Sequence, residues 1–185
     1  MIKIDIADIE KISRQLDAFY TAYKGFVYYT ELHDYQHKNA KIKNFWNFIE
    51  FMSLSTLLIN WNEIFGITKK NESWKQITFE VPEYIKLLYK EGEFTYSTWT
   101  DYRNYINELC NDFIIFPDPY HHSDQKYNLE GIKCSLEITH DWLYKLVSCN
   151  NGLINSEYLN RWPVANKNYI KNLKREILIN IRAHT

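Results

Sequence analysis

Apolar residues recur at steps of three and four along most of this chain, the spacing that lines one face of an α-helix. Ile9, Ile12, Leu16, Phe19, Tyr20 and Tyr23 predict an amphipathic helix over residues 5–35, with a kink expected near Gly25. A polar turn follows, with Asn39 as a candidate N-cap. Residues 40–65 are apolar on nearly every side, through Phe45, Trp46, Phe48, Met52, Leu57, Leu58 and Trp61, which predicts a helix at the centre of a bundle. Gly66 stands where a helix end favours positive φ. Pro82 suits the first turn of a short helix that runs to Lys90 and ends at Gly92. Ser97 or Thr98 is placed to cap the next helix, whose core face is Trp99, Tyr102, Ile106, Leu109 and Phe113 and which Pro117 and Pro119 stop. Residues 129–148 form a further helix, closed by Asn150-Asn151-Gly152. After Pro163, the face Ile170, Leu173, Ile177 and Ile181 marks the last.

The expected fold is therefore all-α, a single-domain helical bundle of five to seven helices over residues 1–185. Composition strengthens that reading: five Gly and four Pro among 185 residues supply few of the tight turns that a β-sandwich needs. The length suits one sizeable core, and no repeat or composition break divides it. A formal net charge of −1 removes any global pull toward nucleic acid or anionic membrane, so such binding has to come from a local patch. The odd count of three cysteines, without a CxxC pair, fits a reducing compartment, and a cytoplasmic protein is expected. The acidic start, Met1-Ile2-Lys3-Ile4-Asp5, reads as neither signal peptide nor membrane anchor. Phe45 to Phe65 is interrupted by Asn47, Glu50, Asn60, Asn62 and Glu63, which argues for a core helix and against a membrane span.

Chemistry concentrates at Glu108-Leu109-Cys110-Asn111-Asp112-Phe113-Ile114-Ile115-Phe116-Pro117-Asp118. This stretch resembles the signature of HEPN helical proteins, many of them RNases, in which an arginine, a polar residue, an apolar run and a histidine close a helix. Asn111, Phe113-Ile114-Ile115 and Pro117-Asp118 fit; Cys110 stands in the arginine's place and Phe116 in the histidine's. Asn60-Trp61 and Phe65-Gly66, followed by Trp74-Lys75, are similar to a pattern in a group of uncharacterised bacterial HEPN-like proteins, as is Trp99-Thr100-Asp101-Tyr102 ahead of the motif. The resemblance covers about residues 45–118. It implies a helical fold, homodimerisation, and in active members metal-independent RNA cleavage by paired arginines and histidines at the dimer interface. A guanidinium holds phosphate through a rigid fork of donors and an imidazole exchanges protons near neutral pH. A thiol and a phenyl ring do neither, so the implied role is non-catalytic: dimerisation, protein-partner binding or RNA binding in a defence or toxin–antitoxin setting. The Asn-, Ile-, Lys- and Tyr-rich composition points to an AT-rich bacterial or phage genome.

A competing reading is an RNase with a displaced site built from Arg103, Asn111 and a loop histidine, His121 or His122. Arg103 lies two turns before Cys110 and forms a polar stripe with Asn107 and Asn111. The ordinary reading, a solvated helix face and a polar loop, outweighs it. Asp118, His121, His122 and Asp124 are metal-compatible types without a metal-site spacing, and His33 with His37 lacks the HExxH pattern, so no metal is expected. No motif for a nucleotide or other cofactor occurs. Lys167, Lys171, Lys174 and Arg175 form the clearest basic patch and are the candidates for RNA contact, against the plainer reading of a solvent-facing helix. Cys110, at an apolar helix position, reads as structural.

Overall fold

The structure is a computed structural model describing residues 6–36, 43–67, 74–75, 78, 82–115, 117, 127–149 and 168–183. Among the described residues six helices stand out: α1 (Ile6–Gln36), α2 (Lys43–Phe65), α3 (Pro82–Glu91), α4 (Tyr96–Ile115), α5 (Glu130–Cys149) and α6 (Tyr169–Ala183). The described residues contain no strand, and none of these helices is long and apolar enough to cross a membrane. The all-α bundle expected from the periodicity is thus what forms.

α1 and α2 make the most extensive helix pair and run antiparallel. Gly25 explains how closely they approach. A Cβ there would lie 2.9 Å from the Leu57 amide nitrogen and 3.0 Å from the Ser53 carbonyl oxygen. Glycine at this position lets two backbones touch, so its role is a helix contact, and α1 runs through it as the single long helix expected.

α4 lies antiparallel along a second side of α2: Asn62 Nδ2 donates to Asn107 Oδ1 at 3.2 Å near one end, and the Phe51 and Phe113 rings stack at 5.4 Å near the other. Trp61, fully buried, ties the layers together. Its ring meets Trp99 edge-on at 6.0 Å and Tyr102 edge-on at 6.1 Å, the offset geometry that aromatic quadrupoles favour. Its Nε1 donates to Ser135 Oγ on α5 at 2.9 Å, which meets the indole's hydrogen-bonding need without water. α3 packs on α5, where the buried Tyr84 hydroxyl lies 2.7 Å from Thr139 Oγ1. That threonine already donates to the Ser135 carbonyl at 2.6 Å, so the tyrosine is the donor in the pair. α6 docks on α1 through Leu173 and Ile177.

Three helix ends show local detail, and the first falls at Gly92 as expected. α3 closes in a Schellman arrangement, with the Phe94 amide donating to Tyr89 O at 2.8 Å and the Glu93 amide to Lys90 O at 3.4 Å. Glu93 takes the positive φ of 53°, in place of Gly92. Gly92 is required because a Cβ would strike the Phe94 ring at 2.5 Å. α4 is capped by Thr95, not Ser97 or Thr98: the Thr98 amide donates to Thr95 Oγ1 at 3.2 Å and the Thr95 amide to Thr98 Oγ1 at 2.8 Å, a reciprocal box. At the end of α2, Gly66 has no positive φ. The last carbonyls of that helix are satisfied by a side chain, described next. Asn39 and the stop at Asn150-Asn151-Gly152 lie outside the described residues.

Candidate functional site

Arg103 is buried on the inner face of α4, with its Nε donating to the Phe65 carbonyl and its Nη2 to the Gly66 carbonyl. A helix end leaves its last carbonyls without internal partners, and a planar guanidinium can serve two at once. Arg103 is therefore the C-terminal cap of α2, held inside the bundle. Asn111, two turns further along α4 and about 12 Å away along its axis, is exposed. His121, His122, Phe116, Asp118 and Asp124 lie outside the described residues.

Cys110 is buried and free, and burial pushes its thiol above the ordinary range, which disfavours the thiolate a nucleophile needs. The elements of the upstream pattern serve packing. Trp61 and Trp99 form the aromatic centre, Phe65 and Gly66 receive Arg103, and Trp74 is buried with Lys75 Nζ 5.9 Å from its ring centre. Among the described residues no cluster of three His, Cys, Asp or Glu can hold a metal ion.

On α6, Lys171, Lys174 and Arg175 are exposed while Leu173 and Ile177 face the core. This is the division an amphipathic terminal helix produces. Lys167 is outside the described residues. Lys174 also borders a cleft of about 510 Å³ between α1, α5 and α6, lined by Tyr29, His33, Tyr127, Lys133 and Glu137 among others. His33, read from sequence beside His37, Asp34 and Glu31, finds its partner across the helix pair: Nδ1 lies 2.7 Å from Glu50 Oε1. Its ring stacks on Tyr29 at 5.6 Å. Burial, followed by the nearby Glu50 charge, pushes the Tyr29 hydroxyl up to about 12. The one clue to Glu50 in the sequence is that it is one of two carboxylates interrupting an apolar run. An imidazole oriented by a carboxylate is a serviceable acid–base pair. Around it, however, Lys133 and Lys174 are interspersed with Glu31, Glu130 and Glu137, so the cleft mixes both signs and does not single out a charged substrate.

The other unusual surface is apolar. On α2, Phe45, Phe48, Met52 and Ile59 are exposed along one stripe, at spacings of three, four and seven residues. The stack of Phe113 on Phe51 sets the last turn of α4 beside this stripe, and that turn ends in the exposed Ile114 and Ile115. The six residues are 45–66% exposed. With roughly 200 Å² on each such side chain, they leave about 600 Å² of mainly apolar surface in water, the upper end of what a monomer tolerates without a reason. Periodicity announced α2 as apolar all round but could not say which side another helix would cover.

Comparisons with known protein families, with curated proteins and with solved structures return no match.

Proposed function

We propose that the chain is a helical docking module of HEPN-like lineage that works by binding a protein partner and carries no RNase chemistry. The observation that carries this reading is the exposed apolar stripe of α2, with further exposed apolar residues at the end of α4. A surface of that size and composition favours burial against another protein. The position of Arg103 supports the non-catalytic half: its guanidinium serves the carbonyls of α2, so the displaced RNase site loses the cation it was built around. The defence or toxin–antitoxin setting follows from the sequence resemblance alone.

Met52 makes the docking half testable, because it sits in the middle of the face and is one of two methionines in the chain. A thioether oxidises in proportion to its exposure. Brief peroxide treatment of cells, followed by mass spectrometry, should find Met52 protected relative to the same residue in unfolded chain. Oxidation in cells at the unfolded rate means that nothing covers the face, and the reading fails. Cleavage of RNA by the purified protein, lost on His121→Ala, overturns the non-catalytic half.

A further inference from the structure

We infer that the cleft between α1, α5 and α6 binds a small zwitterion with an apolar body, of the size and chemistry of a free amino acid with a large side chain. The cleft shares no residue with the apolar stripe of α2, so this site is independent of the docking face.

Size and walls come first. A volume of about 510 Å³ falls within the roughly 300–1,000 Å³ of small-molecule sites. Phe26, Tyr29 and Leu129 give the cleft apolar walls, and the first two are buried side chains of α1. Such walls suit the body of a ligand and leave its orientation to a few polar groups. Tyr29 supplies one of these. It is only 8% exposed, yet its hydroxyl has no hydrogen-bond partner among the described residues. A hydroxyl so placed normally has one, and this one belongs to the lining of the cleft. Burial and the Glu50 charge keep it protonated, so it has a proton to donate.

Charge then selects the class of ligand. Glu130, Lys133 and Glu137 follow one another at steps of three and four on one face of α5, and Glu31 of α1 and Lys174 of α6 border the same cleft. Opposite charges at such steps are close enough to pair. Among the described residues, however, none of these five side chains is in an ion pair. Both signs therefore face one space without satisfying each other. An anion alone would be held by the lysines and repelled by three carboxylates, and a cation alone would meet the reverse. A molecule that carries both charges gains from both sets. An amino acid bears its ammonium and carboxylate on a single carbon, near enough together to reach a lysine and a glutamate that are neighbours on one helix face. Its side chain then lies against Phe26 and Tyr29.

The test uses the full purified chain and three probes that share a phenyl body: L-phenylalanine, phenethylamine and 3-phenylpropanoate. Titration followed by two-dimensional NMR should give saturable shifts with phenylalanine, centred on Tyr29, Lys133 and Glu137. Each probe with a single charge should bind about tenfold more weakly, because it lacks one charge-assisted contact. Lys133→Gln and Glu137→Gln separate the two halves of the site, and both positions are exposed, so neither change threatens the fold. Lys133→Gln should weaken phenylalanine several-fold without weakening phenethylamine. Glu137→Gln should weaken phenylalanine likewise without weakening 3-phenylpropanoate. Tyr29→Phe should weaken all three. The inference is overturned by an absence of saturable shifts with phenylalanine up to its solubility, by shifts centred outside the cleft, or by a single-charge probe that binds as tightly as the amino acid. Both glutamine variants binding phenylalanine at full strength would overturn it too. None of these outcomes bears on Met52, so the docking reading stands or falls separately.

Discussion

The two sides of α2 are similar in sequence and opposite in fate. Its inner side presents Leu54, Leu57, Leu58, Trp61, Ile64 and Phe65, each at or below 3% exposure, to α1, α4 and α5. Its outer side presents Phe45, Phe48, Met52 and Ile59, each about half exposed, to water. Both are aromatic and aliphatic, so hydrophobicity alone does not separate them. What separates them is detail of fit. The inner side faces a glycine of α1 where the two backbones approach and a hydroxyl of α5 placed to receive an indole proton. The outer side has neither. Core and interface thus use the same residue types but differ in what has been matched to them.

Trp61→Ala should produce the largest change, because it removes the aromatic centre of the inner side and leaves the Ser135 hydroxyl without its donor. A loss of about 3–5 kcal/mol in chemical denaturation is expected. A loss under about 1 kcal/mol would mean that α2 is not the centre of the core, and the contrast between its sides would collapse.

Arg103→Met comes next. It keeps much of the aliphatic stem but strips both donors from the Phe65 and Gly66 carbonyls, so about 2–3 kcal/mol should be lost and amide exchange should speed up at the end of α2. This variant also separates the two views of Arg103. A capping arginine yields a stability loss with no change in any RNA affinity, whereas an RNA-contacting one yields the reverse pattern.

The inner contact with α1 is probed by Gly25→Ala. Alanine gains about 1 kcal/mol in helix propensity at this site. Against that, its methyl meets the Leu57 and Ser53 backbones, which have no flexible tip to move aside. A net loss of about 1–2 kcal/mol in denaturant unfolding is expected. A gain in stability would show that the helices do not approach as closely as the structure has them.

These variants also mark how far the fold was readable from sequence. The helices were, because period and length are carried by many residues at once: the core faces of α4 and α5 follow the expected positions, with Ile106, Leu109, Phe113, Ile132 and Leu136 all buried. The helix ends fell close to the expected positions, but the residues that cap them were not readable, because capping turns on single hydrogen bonds. Thr95 and Ser97 are both plausible caps until backbone geometry selects one, and Glu93 takes a positive φ that composition would assign to its glycine neighbour. Arg103 was misplaced for a deeper reason. A cation in a polar stripe reads as solvent-facing unless its acceptors are known, and these are main-chain carbonyls nearly forty residues away that have no signature in side-chain identity. The His33–Glu50 pair was missed on similar grounds, since it forms only once α1 and α2 are brought together.

The smallest intrinsic effect should come from the outer side, and it sharpens the comparison most. Met52→Ser removes a half-exposed side chain from a surface with no internal partner to lose, so the purified protein should change by less than about 0.5 kcal/mol. Melting in intact cells then separates a bare surface from an interface. A native state that binds a partner gains stability by mass action, so the melting temperature of the unaltered chain should be higher in cells than in purified form. That of Met52→Ser should rise less or stay flat. The two proteins would then be alike when purified and diverge in cells, a behaviour that no inner-side variant can show, because a core contact is made within one chain in either setting. Equal melting of the two proteins in both settings would make the outer stripe an uncovered surface and nothing more.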